Sequence, residues 1–191
     1  MIRPTACLTL LAGLCACTAS PPKVATPAES PRPLALSADA AGKPPYLISV
    51  GCVDVAGLSS KNMPTQILLG SRECVDKKDF DRGVRLFGVA GAYARFDSER
   101  VPDVSAQALI PAFQSELFGS LDPNTAAELQ AAQKKIANSH ELVQMCEQIR
   151  KLGPPTYYPT YMIKQGAKRN FDSAAAWESA LVSYLHCPRV R

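Results

Sequence analysis

The sequence is poor in the residues and motifs that enzymes use for catalysis. It contains only two histidines. It has no G-x-S-x-G, H-E-x-x-H, phosphate-loop or dinucleotide-binding motif. The acidic pairs Asp79/Asp81 and Asp97/Glu99 are interpreted as turn and surface positions. We therefore predict that the protein is not an enzyme, has no catalytic residues and binds no cofactor.

The sequence also lacks a metal-binding pattern. No C-x-x-C spacing occurs, and the two histidines are far apart in the chain. Ser139, His140 and Glu141 have the side-chain types of a catalytic relay, but successive positions of a helix point in different directions. Ser139 is expected instead to cap a helix. No metal site is predicted.

Long apolar runs and dense basic stripes are absent as well. The apolar run from about Ala6 to Ala16 is shorter than the roughly 20 residues that a transmembrane helix needs. Lysine and arginine leave a net charge of +4, but they are dispersed along the chain. A nucleic-acid-binding surface concentrates its basic residues, so we expect no nucleic-acid partner.

The N terminus has the features of a secretory signal peptide. A charged residue, Arg3, precedes the short apolar run, and small residues follow it. Leu14-Cys15-Ala16-Cys17 resembles the bacterial lipobox. The resemblance implies that residues 1–16 are removed and that Cys17 is lipidated, with palmitate as an example of the acyl group. Three acyl chains are enough for stable anchoring in a membrane.

The residue after Cys17 indicates which membrane is involved. In the lipoprotein family an aspartate at this position favours retention at the inner membrane. Here the residue is Thr18. The resemblance therefore implies the outer membrane, with the protein lipid-anchored on the periplasmic face.

A proline-rich segment separates this anchor from the rest of the chain. Residues 17–45 hold seven prolines and few large apolar side chains. Such a segment buries too little apolar surface to offset the entropy cost of ordering it. We interpret residues 17–45 as a disordered linker. Residues 46–191, about 145 in number, suffice for a single domain with its own core.

Four cysteines belong to this domain, and an even number in an exported protein indicates disulfides. They are Cys52, Cys74, Cys146 and Cys187. Four cysteines allow three pairings. The pairs Cys52–Cys74 and Cys146–Cys187 are favoured because each closes a local loop between neighbouring elements.

The periodicity of the domain predicts a mainly α fold, a single disulfide-linked helical domain of about six helices. Apolar spacing and capping signals place helices over residues 64–75, 79–93, 105–118, 122–137, 139–151 and 171–185. Pro111 is expected to kink the third helix, and Asp122-Pro123 to begin the fourth. Residues 46–55 are strand-like and are predicted to form an extended lead-in.

The first two predicted helices are joined by a short turn and form a hairpin. Aromatic and small residues alternate along the second helix at Phe80, Gly83, Phe87 and Ala90. This spacing resembles a tetratricopeptide unit, with Cys74 in place of an aromatic residue and Lys78 in place of the turn glycine. Only one copy occurs, and a solenoid needs about three. The resemblance therefore implies one close helix pair.

The segment LGPPTYYPTYMIKQG, residues 152–166, is rich in tyrosine and proline. Rigid tyrosines are favoured at protein interfaces because they give a large contact area with little loss of entropy. The predicted partner-binding residues are Tyr157, Tyr158, Tyr161 and Met162. The alternative is that these side chains fill gaps between helices, and both interpretations can hold for different rings.

This segment and RLFGVAGAYARFD, residues 85–97, are similar to small lipoproteins that accompany antibacterial phospholipase effectors of contact-dependent secretion. Those lipoproteins are immunity proteins that sequester a toxin entering the periplasm. The resemblance implies a periplasmic protein partner, a secreted toxin of lipase type. The alternatives are a structural or adaptor lipoprotein of an envelope or secretion assembly, and a hydrolase with an unfamiliar site.

Overall fold

A computed structural model describes residues 42–162 and 171–189. Within these ranges the fold consists of six α-helices and three short 3-10 helices, without a β-strand. The α-helices are α1 Pro64–Asp76, α2 Phe80–Arg100, α3 Leu109–Phe118, α4 Pro123–Ala137, α5 His140–Leu152 and α6 Ser173–Tyr184. The predicted mainly α fold is confirmed. The predicted signal peptide, Cys17 and most of the linker lie outside the described residues.

Helix α2 packs against α1, α4 and α6. Its residues Tyr93 and Phe96 are almost completely buried. Their rings meet the Trp177 indole of α6 edge to face, at centroid distances of 5.5 and 6.1 Å. Edge-to-face pairs stabilise a core beyond the area that they bury. This aromatic cluster joins α2 to α6.

Helices α1 and α2 form the predicted hairpin. A Cβ added to Gly83 would lie 3.2 Å from Cγ2 of Val75, so the two helices approach closely at this glycine. The Ser71 hydroxyl donates to the Gly83 carbonyl at 2.7 Å. Lys78, in the turn, has a φ of 62°, the left-handed conformation that favours glycine. A lysine thus adopts a conformation that glycine adopts more readily.

Two disulfides close the helical body. Cys52–Cys74 joins the segment before α1 to α1 itself. Cys146–Cys187 joins α5 to the chain that follows α6. These are the two pairings that the sequence favoured. Each therefore fixes a terminal segment onto the helices.

The segment before α1 differs from its predicted extended form. It contains two 3-10 helices, Pro45–Leu47 and Val55–Gly57. The Val50 amide donates to the Gln66 carbonyl of α1 at 3.3 Å. Residues 48–54, between these two 3-10 helices, form neither a helix nor a paired strand, so the predicted extended lead-in is confined to this shorter stretch.

Pro111 lies near the start of a helix, whereas the sequence placed it in the middle of one. The residues before it form a separate 3-10 helix, Val104–Ala108, and Pro111 is the third residue of α3. The first four amides of a helix have no intrahelical acceptor, so a proline there removes no hydrogen bond.

The predicted helix starts at Asp122 and Ser139 are confirmed. The Asp122 carboxylate accepts from the amides of Asn124 and Thr125 at 3.1 Å. The Ser139 hydroxyl accepts from the Glu141 amide at 3.1 Å. Throughout the described ranges, no helix has both the length and the apolar content needed to cross a bilayer.

Candidate functional site: a tyrosine loop held by a buried aspartate

Residues 153–162, which follow α5, are here named the tyrosine loop. Gly153 ends α5 with a φ of 83°, a conformation that other residues rarely adopt, and three prolines restrict the backbone that follows. Tyr157 and Tyr161 are buried, whereas 54% of Tyr158 is exposed. The loop thus presents one tyrosine to solvent and packs two against the helices.

The two buried tyrosines converge on one carboxylate of α2. Asp97 is completely buried. The Tyr157 hydroxyl donates to Oδ2 of Asp97 at 2.7 Å, and the Tyr161 hydroxyl donates to the same oxygen. Hydrogen bonds to an ionised acceptor are about twice as strong as neutral ones. Asp97 therefore anchors the loop before Tyr158, through Tyr157, and after it, through Tyr161.

Arg100, one turn further along α2, occupies the other carboxylate oxygen. Its Nε donates to Oδ1 of Asp97 at 2.8 Å, while Nη2 lies 2.6 Å from Oδ1 without the alignment of a hydrogen bond. The guanidinium also lies 5.2 Å from the Phe96 ring centroid and 5.1 Å from that of Tyr157. The carboxylate and the two aromatic rings together offset the free-energy cost of removing the Arg100 guanidinium from water.

Burial dominates the electrostatics of this cluster. Loss of solvent raises the pKa of the Asp97 carboxyl above its ordinary value, against the lowering effects of Arg100 and the two tyrosine hydroxyls. Burial, and next the adjacent Asp97, raise the pKa of Tyr157 and of Tyr161 well above their ordinary values. The two phenols consequently keep their protons and act as donors.

Further contacts hold the tyrosine loop along its length. The Tyr93 hydroxyl donates to the Gly153 carbonyl at 3.2 Å. The Thr156 amide donates to the Ser60 carbonyl at 2.9 Å, and the two side-chain hydroxyls lie 3.1 Å apart. The loop is therefore attached both to α2 and to the chain that precedes α1.

The structure separates the four residues that the sequence predicted to bind a partner. Tyr157, Tyr161 and Met162 are only 8%, 7% and 4% exposed, and they join the core. Tyr158 projects into solvent. Tyr157, Tyr161 and Met162 fill gaps between helices, as the alternative interpretation expected. Partner binding stays a prediction, and Tyr158 is the member of the four that is exposed to make such a contact.

Sequence reasoning missed Asp97, which it placed at the surface. The residue is completely buried and accepts from both buried tyrosines of the loop. One signal was available: Asp97 follows the apolar positions Val89 and Tyr93 at intervals of four, which places all three on one face of a helix. A carboxylate on an apolar face needs hydrogen-bond donors, and the nearby tyrosine-rich segment supplies them.

A second surface feature is a groove of about 220 Å³ formed by residues of α2, α3, α6 and the end of the tyrosine loop. Within it the Tyr184 ring lies directly against Gly91. At the start of α3 and in the 3-10 helix before it, Leu109 and Val104 are 38% and 74% exposed. These residues add apolar surface outside the tyrosine loop.

The arrangement around Asp97 is suited to holding a loop rather than to contacting a substrate, because the carboxylate has no exposed surface. In the described part of the chain, no three histidine, cysteine or acidic side chains are grouped as a metal site requires. Comparison of the chain with protein-family models, with curated proteins and with solved structures finds no match.

Proposed function

We propose that the protein is a membrane-anchored periplasmic binding protein, and specifically an immunity protein that sequesters and inhibits a secreted antibacterial toxin of lipase type. The observation that carries the proposal is the exposed ring of Tyr158 on a loop whose neighbouring side chains are held by Asp97. A ring that is already ordered loses little entropy when a partner covers it.

The sequence of the N terminus supports the location in this proposal. A lipid anchor at Cys17 and a proline-rich linker would hold the helical body at the outer membrane, where an incoming toxin is met. Two disulfides suit an oxidising compartment. Blocking a toxin requires contact surface rather than chemistry, and the tyrosine loop supplies such a surface.

The test is survival during contact with sister cells that deliver the toxin. Deletion of the gene should make cells sensitive, and the wild-type gene should restore survival. Tyr158→Ala should restore it less well at equal protein level, whereas Ile48→Ala serves as the control for an exposed apolar side chain elsewhere. Deleted cells that survive contact as well as their parent would contradict the immunity function.

The anchor is tested separately. Wild-type protein should incorporate labelled palmitate and fractionate with the outer membrane. Cys17→Ala should abolish the label without altering the helical body, because Cys17 precedes residues 46–191, which the sequence assigns to the domain. Labelling that persists in Cys17→Ala would place the acylated residue elsewhere.

An adaptor lipoprotein of an envelope or secretion assembly is the second candidate. The exposed apolar side chains of Val104 and Leu109 favour it, because an adaptor contacts more than one partner and needs more than one surface. Deletion would then disturb assembly even in cells grown without a toxin-producing neighbour. A toxin gene beside this gene would favour the immunity function instead.

A further inference from the structure

We propose that Tyr158 and Lys61 form one docking surface for an acidic protein partner, and that Asp97 is the positioning residue of this surface. The inference rests on the proposed binding function and adds to it the chemistry of the partner. It also assigns a role to a buried residue that never touches that partner.

The first step is that the two segments carrying Tyr158 and Lys61 are joined. Residues 59–62 form a tight turn, in which the Asn62 amide donates to the Ser59 carbonyl at 2.9 Å. Ser60 of this turn makes the backbone and hydroxyl contacts to Thr156 described above. Lys61 and Tyr158 each lie within two residues of this pair, and both are exposed.

The second step concerns charge. Neither residues 59–62 nor residues 153–162 contain an aspartate or a glutamate. Among the residues that the structure describes, the Lys61 ammonium has no ion pair or hydrogen bond, in contrast to Lys78 and Lys135. The surface therefore combines a phenol ring with an uncompensated positive charge. Its complement is a protein with carboxylates around a slot for the ring.

The third step is the order of the ring. In the chain Tyr158 follows Tyr157 directly and precedes Tyr161 by three residues, and both of these donate to Asp97. Releasing the two hydroxyls would free the backbone on both sides of Tyr158. Ordering that backbone again on binding costs free energy. By keeping this backbone ordered before binding, Asp97 should increase the affinity for the partner without touching it.

The binding test uses a phage-displayed library of random peptides selected on the wild-type protein. We expect acidic, ring-accepting peptides whose affinity falls at least tenfold in Tyr158→Ala and in Lys61→Glu and weakens as salt is raised. Lys134→Glu, on the exposed side of α4, is the matched control and should change affinity less than twofold. Enrichment of no acidic peptide, or of peptides that bind Tyr158→Ala as well as wild type, overturns the docking surface.

The positioning test uses Tyr157→Phe and Tyr161→Phe, which remove the donors and keep the ring volume, together with Asp97→Asn. In the phenylalanine variants we expect amide hydrogen exchange to accelerate most in residues 153–162, and in all three variants we expect weaker peptide binding although Tyr158 is intact. Tyr158→Ala should show the opposite combination, with unchanged exchange and lost binding. If the phenylalanine variants bind peptides as wild type does, Asp97 has no positioning role.

The alternative to a protein partner is that the surface formed by Tyr158 and Lys61 binds a lipid membrane. Vesicles containing phosphatidylglycerol should not bind the protein in a manner that depends on Tyr158, and such binding would overturn the assignment of a protein partner. Failure of the immunity function shows in the survival assay alone. Failure of the docking surface shows in the peptide assay, so the two outcomes are distinguishable.

Discussion

Tyr157 and Asp97 lie 60 positions apart in the chain and are joined by a buried hydrogen bond of 2.7 Å. The bond connects the tyrosine loop to the central helix α2. Removing Tyr157 takes one of three donors from the carboxylate, whereas removing Asp97 leaves Tyr157, Tyr161 and Arg100 without their shared acceptor. The same contact therefore contributes to stability and to the order of the exposed Tyr158.

Tyr157→Phe should lower the free energy of unfolding by about 2 kcal/mol, the range for a hydrogen bond to a charged group. Asp97→Asn should cost more, about 3–5 kcal/mol, because the mostly buried Arg100 loses its countercharge. Urea denaturation measures both. Tyr158→Phe is the control and should change stability by less than about 0.5 kcal/mol. Equal losses for Asp97→Asn and Tyr158→Phe would mean that the cluster contributes nothing.

Stability should fall at alkaline pH. Burial raises the pKa of Tyr93, Tyr157 and Tyr161. Above about pH 10 the unfolded chain releases these protons and the folded chain retains them, so the free energy of unfolding decreases as pH rises. Below about pH 10 the contribution is complete.

Each such tyrosine adds a slope of at most about 1.4 kcal/mol per pH unit. Urea midpoints measured between neutral and alkaline pH should therefore decrease less steeply in the double variant Tyr157→Phe/Tyr161→Phe. A double variant with the slope of the wild type would show that these hydroxyls ionise equally in the folded and unfolded chain.

Removing the Cys146–Cys187 disulfide should destabilise the protein by about 2–4 kcal/mol. This disulfide closes a segment with a sequence separation of 41, against 22 for Cys52–Cys74. Its loss should therefore increase the conformational entropy of the unfolded chain slightly more. Double alanine variants of each pair, compared by urea denaturation, test this. Helical circular dichroism should persist in both. A variant without Cys146–Cys187 that matches the wild type in stability would contradict the prediction.

Two buried glycines should respond differently to alanine. A Cβ at Gly70 would lie 2.4 Å from the backbone carbonyl oxygen of Gly51, which cannot move alone, whereas one at Gly88 would meet the flexible end of Met145 at 2.6 Å. Gly70→Ala should therefore cost about 1–3 kcal/mol. Gly88→Ala should be nearly neutral, because the gain in helix propensity offsets the adjustment.

Thermal denaturation of the two variants side by side is the measurement. The comparison is matched, because both glycines are buried within helices. A Gly70→Ala protein as stable as Gly88→Ala would indicate that the segment before α1 shifts easily, in spite of its disulfide at Cys52.

Local signals explain why much of the helical fold was predictable. Asp122 and Ser139 cap the helices that the sequence assigned to them, because a cap depends on residues within one turn. The 3-10 helices at the two ends of the lead-in and the break before α3 were not predicted, because both depend on distant packing. The Val50 amide donates to the Gln66 carbonyl of α1, and a separate 3-10 helix moves the start of α3.

By itself the sequence determined the helical class, the positions of most helices and the even set of cysteines. These follow from apolar periodicity, capping and composition, which act over short stretches of chain. Only the tertiary structure decided which tyrosine is exposed and that Asp97 is buried beneath the other two. The reason is physical: burial of a carboxylate depends on donors from positions 100, 157 and 161, and folding alone brings them together.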